Sequence, residues 1–537
     1  MMTPTEFLVG AASPNSVLQD AWGTSTTLAA RLDLVRRVVA RFQGTFGDLP
    51  IRLFRAPGRI NLRGMHVDTH GGYLNLMAHH RELIVAIAHM NPDVVVDNVD
   101  VTVSRAHFSV DSFTDLPEFS GPWTEFIASP RVVAHVVADH TWQKYLQGCV
   151  LRLRHAFPST EFYGVRAVVG SDLPQGAALS SSAALCVAFT RAYASMHGIT
   201  LSDNDMVRFS RDAEWYAGTR CGCSDQAAIV LARPNALTTV ALDQERVDTQ
   251  GATYTELSPE VSVLVIDSRT KRSLSGASRL AYTQNRFAYS MALGIARQEI
   301  ERLGIDRGRC AEVKSLPDLS PAAWRDQGGD AFIYAMLQEV PETIRIDELE
   351  RKYDFPNVHQ AYRHYFELVS EEERPTEIPI RGPLVYGIAE SERARVFPTA
   401  IRERRWRDAG HLMCLGHNGD RLFTREGKPF NASVSDEFLR RMAADGKPVH
   451  ELEGIYGASS AALDQLVDCA MDHGAFGACL TGAGIAGSVI ALVPSDSANE
   501  IARAIESSCA AWDVPPQAVI NHAVRGVSEL SVGPSHA

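Results

Sequence analysis

The stretch LPQGAALSSSAAL at residues 173–185 constrains this chain most. Turn formers (Asp172, Pro174, Gln175, Gly176) give way to three serines, then to a helix-like run from Ala183 to Tyr193. A serine cluster at such a junction is an N-cap signal. The same composition also suits an anion cradle. Small residues let backbone N–H groups approach a phosphate, the helix N-terminus adds partial positive charge, and hydroxyls can face a metal. The segment in front, FYGVRAVVGSDLP, reads as a strand. Strand, small-residue loop and helix start thus follow one another.

At 537 residues the chain is long enough for more than one core. Its formal net charge of −12 argues against nucleic acid or an anionic membrane as partner. No apolar run reaches the roughly 20 residues of a membrane span, and the N-terminus lacks the pattern of a signal peptide. Nine cysteines scattered over the chain suit a reducing, cytoplasmic setting. Cys221 and Cys223 form a C-x-C with no second pair nearby, so they read as packing residues rather than zinc ligands.

TTLAARLDLVRRVVARFQGTFG has helical spacing and ends at a glycine. IRLFRAPGRINLRG starts as a strand and is expected to break at Pro57-Gly58. WQKYLQGCVLRLRHAF and SDNDMVRFSRDAEWYAG read as helices. VSVLVIDSRTKRS reads as a buried strand suited to a domain start near residue 260. Residues 305–380, with several prolines and the acidic run Glu371 to Glu373, are expected to form an insertion or a partly mobile lobe. The expected division is an N-terminal extension (1–40), a first domain (41–259) and a second (260–537). Alternating strands and helices with antiparallel pairs indicate an α+β fold.

Gly482, Gly484 and Gly487 spell G-x-G-x-x-G, but they precede a strong strand instead of opening a helix, so the dinucleotide reading is poor. There is no Walker A loop. RAPGRINLRGMHVDTHGGYLN, residues 55–75, gathers Arg55, Arg59, His66, Asp68 and His70 among glycines. It reads either as a surface hairpin with exposed charges or as a functional loop. His66, His70, His79 and His80 lack i, i+4 spacing in a clear helix, so a metal reading of them is poor. In EWYAGTRCGCSDQAAIVLA, residues 214–232, Asp225 reads as an N-cap, unless it lies beside a phosphate loop. There a carboxylate could orient or deprotonate a hydroxyl.

Together these stretches resemble the GHMP kinase superfamily and, within it, the galactokinase family. Residues 174–183 resemble the family's Pro-x-Gly-x-Gly-Leu-Ser-Ser-Ser-Ala phosphate loop. GRINLRGMHVDT is similar to its N-terminal signature, GCSDQ to its GxMDQ segment, and LTGAGIAG to its MTGAGFGG. WQKYLQG and GHLMCLGH resemble two further segments, and the order agrees throughout. The resemblance implies a two-lobed fold with mixed sheets, helices and an active site in the cleft between lobes. It implies an ATP-dependent kinase acting on the anomeric hydroxyl of a galactose-like sugar, with ATP and Mg²⁺ as cofactors. Pro174, Gly176, Ala177, Ala178, Leu179, Ser180, Ser181 and Ser182 would wrap the ATP phosphates, with Trp142 near the adenine. Ser182 and Glu214 would hold Mg²⁺, whose preference is for oxygen ligands. Asp225 would face the sugar hydroxyl and Arg59 would stabilise it and the transferring group. Met65, His66, Asp68, Gly222, Tyr282 and Gly484 would form the sugar pocket.

Two residues depart from the family pattern. Ala178 replaces the second loop glycine, a strain of ~1 kcal/mol if that position needs positive φ. Met65 stands where galactokinases carry a glutamate that binds the sugar's outer hydroxyls, and a thioether does this poorly. The change would admit galacturonate, with Arg63 attracting it, or equally L-arabinose or a 6-deoxy sugar. The rival class is a galactokinase-like sensor that binds ATP and sugar with little turnover.

Overall fold

A computed structural model describes residues 2–10, 28–89, 92–139, 141–174, 176–242, 247–270, 276–355, 357–367 and 369–530. Gln175 and much of the expected N-terminal extension lie outside them.

The strands in chain order are β1 (Arg52–Arg63), β2 (Gly72–His89), β3 (Asp93–Asn98), β4 (Ala106–Ser109), β5 (Val165–Ser171), β6 (Ala236–Leu242), β7 (Thr253–Glu256), β8 (Val261–Asp267), β9 (Thr343–Arg345), β10 (Glu377–Pro379), β11 (Gly477–Thr481), β12 (Ser488–Pro494), β13 (Gln517–Asn521) and β14 (Ser528–Leu530). The larger sheet runs β14-β1-β2-β5-β3-β4, and β6 with β7 joins the start of β2. Only β3 and β5 pair in parallel within it.

The end of β2 shows why this sheet needs cover on both faces. Leu83, Val85 and Ile87 enter a core with Ala184 and Phe189 of the helix Ser181–Met196. Ile84, Ala86 and Ala88 enter another with Leu34, Val35 and Val38 of the helix Leu28–Phe46. A period of two sends successive side chains to opposite faces, so a continuous apolar run marks a strand buried on both.

The expected break at Pro57-Gly58 does not occur. β1 passes through it, with a register shift between Pro57 and Arg59 in its pairing with β2. Its other neighbour, β14, pairs only with Leu53, Phe54 and Arg55, so the proline removes no ladder bond on that side. At Gly58 a Cβ would lie 2.4 Å from Leu173 Cδ2 and 2.9 Å from the Leu179 carbonyl oxygen. The glycine therefore lets the serine loop lie against the strand.

The second sheet, β11-β12-β8-β13, is antiparallel throughout. One hydrophobic core contains Val85 and Val169 of the first sheet together with Val265, Leu480 and Ile490 of the second. Residues 305–380 hold short helices and the β9–β10 ribbon. Leu316, Leu319, Trp324, Ile333 and Leu337 bury there against the long helices Gly276–Arg302 and Arg381–Arg402, so the segment has packing of its own. Glu371, Glu372 and Glu373 are exposed, as a solvated charge run should be. The fold is α+β, with helices around mixed sheets.

Candidate active site

The serine loop joins β5 to the helix Ser181–Met196. Ser180 occupies the N-cap position, yet its side chain caps nothing. It sits in the left-handed region, φ 59°, and its hydroxyl donates to the Asp225 carboxylate instead. Ala178 is also left-handed, φ 56°. The strain expected of an alanine there is present, and the Gly-rich turn between β11 and β12 makes room for it. A Cβ on Gly487 would lie 2.5 Å from that of Ala178. The loop is tied down by Ser488 Oγ donating to the Ala177 carbonyl (2.7 Å) and by the Arg59 amide donating to the Leu179 carbonyl (3.2 Å). Gly176 faces open space. Non-glycine residues held at positive φ tend to gather at functional sites.

Arg59, on β1, reaches across this loop. Its Nε and Nη2 donate to the two Asp225 oxygens at 2.6 and 3.0 Å, and its Nη1 donates to the Ala178 carbonyl. Asp225 lies in the first turn of the helix Ser224–Leu231 but does not cap it; the N-cap is Cys223. Its carboxylate is taken by Arg59 and Ser180. A bidentate arginine holds both oxygens in one plane. Asp225 and Arg59 both line a cavity of about 590 Å³.

Glu214 lies near the end of the helix Asp203–Tyr216 and is 3% exposed. Burial pushes its carboxyl up to about 7; the Ser182 hydroxyl opposes the rise and Asp225 adds to it. Gln226 Nε2 donates to Glu214 Oε2. Ser182 and Glu214 therefore stand together. Two hard oxygen donors fit Mg²⁺, which keeps other positions for water and phosphate oxygens. Among the described residues no cluster of three or more His, Cys, Asp or Glu could hold a metal.

Asp68, His66 and Gly222 line the cavity too. Burial raises the Asp68 carboxyl, and Ser224 Oγ donates to its Oδ2 at 2.7 Å. A Cβ on Gly222 would lie 2.3 Å from that oxygen, so a glycine is what lets Asp68 stand there. His66 has φ 61° and stacks on Tyr456, ring centroids 4.3 Å apart. Its Nε2 lies 3.4 Å from Asp420 Oδ1. Tyr282 meets Tyr456 edge-on at 6.2 Å. Asn61 also lines the cavity, and its buried Oδ1 has no partner among the described residues.

Met65 is a correction. It is 2% exposed, packs in the main core and is not among the cavity's lining residues. Glu390 accepts the backbone N–H groups of Gly64 (2.7 Å) and Met65 (3.2 Å), and the next residue, His66, turns toward the cavity. Arg63 is equally unable to attract a substrate, because it is fully buried against Glu390. Nor does Gly484 reach the cavity. Gly482 and Ala483 line it, whereas a Cβ on Gly484 would lie 2.1 Å from the Ala458 carbonyl oxygen. Trp142 is half-buried before the helix Gln143–Ala156 and donates to the Ser104 carbonyl at 2.7 Å. The surface-hairpin reading of residues 55–75 fails as well, because Arg55, Arg59, Arg63 and His70 are all buried.

Sequence reasoning missed Arg286, Phe355, Tyr365 and Tyr456, all on the cavity wall. For Arg286 a signal existed, as Arg286, Tyr289, Leu293 and Arg297 recur at helical spacing.

Three family descriptions match the chain: the galactokinase galactose-binding signature at residues 40–89, the GHMP kinases N terminal domain at 144–233, and the GHMP kinases C terminal at 434–511. A galactokinase from Roseiflexus sp. (strain RS-1) is 30% identical over 314 residues, which is 57% of this chain and 65% of that one. The crystal structure of Lactococcus lactis galactokinase complexed with galactose superposes with a TM-score of 0.58 at 17% identity, covering 91% of this chain and 98% of that one. The matched segments bracket the serine loop, Arg59 and Asp225. With the α+β architecture and this loop in place, the chain is similar to the GHMP kinases over its matched N- and C-terminal segments, and residues 40–89 match the galactokinase galactose-binding signature.

Proposed function

We propose that the protein transfers the terminal phosphoryl group of ATP to the anomeric C1 hydroxyl of a galactose-like sugar. The observation that carries this reading is the Arg59–Asp225 pair, which touches the serine loop on one side and lines the cavity on the other. Phosphoryl transfer needs positioning and charge neutralisation more than covalent help. Asp225 orients the acceptor hydroxyl and takes its proton. Arg59 fixes Asp225 and neutralises charge on the transferring group. The loop from Pro174 to Ser182 receives the phosphates with its backbone N–H groups, and Trp142 lies toward the base. His66, Asp68, Gly222 and Tyr282 form the sugar pocket. Ser182 and Glu214 would hold Mg²⁺, which would supply positive charge to offset that of the phosphates. The acidic-sugar expectation does not rest on Met65, whose thioether is in the core.

The division near residue 260 belongs to the same reading. No helix among the described residues is long and apolar enough to cross a membrane. All nine cysteines are free, in keeping with a cytoplasmic enzyme.

ADP release is measured with galactose, galacturonate, L-arabinose, fucose and N-acetylgalactosamine, with Asp225→Ala as the blank. Sugar-dependent release that vanishes in the variant, with a product phosphorylated at C1 by NMR, is the expected result. Binding of ATP and sugar without turnover would replace the kinase by the sensor.

Glu214 makes the pH dependence of stability specific. A carboxyl raised in the folded state keeps its proton where the unfolded chain has lost it. Its contribution therefore falls as pH rises from the ordinary 4.5 to about 7, by on the order of 3 kcal/mol. Without Mg²⁺, Tm should drop across that window, and Glu214→Gln should flatten the drop. Equal slopes in both proteins would contradict this account.

A further inference from the structure

Part of the cavity wall is one face of the helix Gly276–Arg302. Arg286, Tyr289, Ser290, Leu293, Gly294 and Arg297 line it at helical spacing. The two arginines stand about 16 Å apart along the axis at ~1.5 Å per residue. Both are exposed, and neither forms an ion pair with a carboxylate among the described residues. The buried arginines Arg59, Arg63, Arg152, Arg381 and Arg393 all pair with acids, whereas Arg220, also on the cavity wall, forms no ion pair among the described residues. The titratable groups that face Arg286 include Tyr282, Tyr456, Tyr365, His70 and Asp68, and Ser224 donates to one Asp68 oxygen.

The segment 305–380 completes this wall. Tyr365 and Phe355 line the cavity, and the Phe355 ring packs so closely on Gly294 that a Cβ there would lie 2.6 Å from its Cε1. An exposed guanidinium keeps its donors free for a carboxylate or phosphate, which it can bind in bidentate fashion. The ATP phosphates are not the natural occupants, because Ser180, Ser181 and Ser182 do not line this cavity. Its volume of about 590 Å³ also leaves room beside a hexose ring.

We propose that the sugar acceptor carries an anionic group away from its reacting hydroxyl, a carboxylate or a phosphate, and that Arg286 receives it, with Arg297 extending the positive wall. This rests on the sugar-kinase reading and names its substrate class.

The test is calorimetric binding of galactose, galacturonate and galactose 6-phosphate to the full chain at low salt, with Arg286→Gln, Arg286→Lys and Arg297→Gln alongside. One acid is expected to bind at least about tenfold tighter than galactose. The preference should shrink with added salt and fall most in Arg286→Gln, with Arg286→Lys intermediate. Whichever acid wins separates carboxylate from phosphate. Galactose binding as tightly as both acids, or a preference that survives both glutamine variants, would overturn the proposal and leave the kinase reading standing. Failure of all three sugars to bind would overturn the proposal, and the ADP-release panel would then decide the kinase reading by itself.

Discussion

Asp225→Asn is expected to lower kcat by roughly a thousandfold, within the range that a positioned proton acceptor contributes. The expectation follows from what the carboxylate holds. Both of its oxygens accept from Arg59, and Ser180 donates to one of them. An asparagine would turn an NH₂ group toward a guanidinium that can only donate. The proton acceptor is lost and Arg59 is released in the same change. Steady-state kinetics measure the first effect. Calorimetric binding of ATP should stay within a few-fold, because on the proposed reading the phosphates would bind through the loop. A kcat within tenfold of the parent protein would remove Asp225 from the reaction.

The largest effect on stability should come from a residue that touches no ligand. Arg63, Glu390 and Arg393 are all fully buried. Glu390 Oε2 accepts from Arg63 at 3.2 Å and from Arg393 at 2.7 Å, while its Oε1 accepts the Gly64 amide at 2.7 Å. Burial alone would raise the Glu390 carboxyl, but Arg63, Arg393 and the Gly64 amide outweigh it and hold it below the glutamate range. Its stabilisation is therefore present above the ordinary value of 4.5 and is lost as pH falls through the lowered one. Glu390→Leu leaves two guanidinium groups buried without their acid, a loss of about 3–5 kcal/mol. Urea unfolding at neutral pH reads it directly. A loss under about 1 kcal/mol would mean that water reaches the arginines and solvates them. The same substitution frees the Gly64–Met65 backbone that aims His66 at the cavity, so sugar affinity should suffer as well.

Much of this arrangement was legible along the chain. The serine loop after a strand, the helix behind it and the Gly-rich turn before a strand are local patterns, and the structure has each of them. Their legibility has a plain cause. Turn residues, helix starts and period-two strands are decided by neighbours a few positions apart. The apolar end of β2 is of this kind, because its composition announces two covered faces.

Other features depend on partners far off in the chain. Ser180 reads as a cap, and only the arrival of Asp225 turns its hydroxyl away. Pro57-Gly58 reads as a break, but one-sided pairing of β1 spares the proline a ladder bond and the loop needs the missing Cβ. Met65 occupies a pocket position in the aligned motif, whereas Glu390, more than three hundred residues away, seats its backbone so that the side chain enters the core. Phe355 and Tyr365 lie in a segment that reads as an insertion and still form the cavity wall.

By itself, then, the order of residues determined the α+β fold, the small-residue loop between strand and helix and the pair of acids at 214 and 225. The tertiary structure decided which groups meet: Arg59 with Asp225, Met65 with the core, Arg286 with the cavity. Hydrogen bonds and packing act over a few ångströms, and only folding brings residues distant in the chain within that reach.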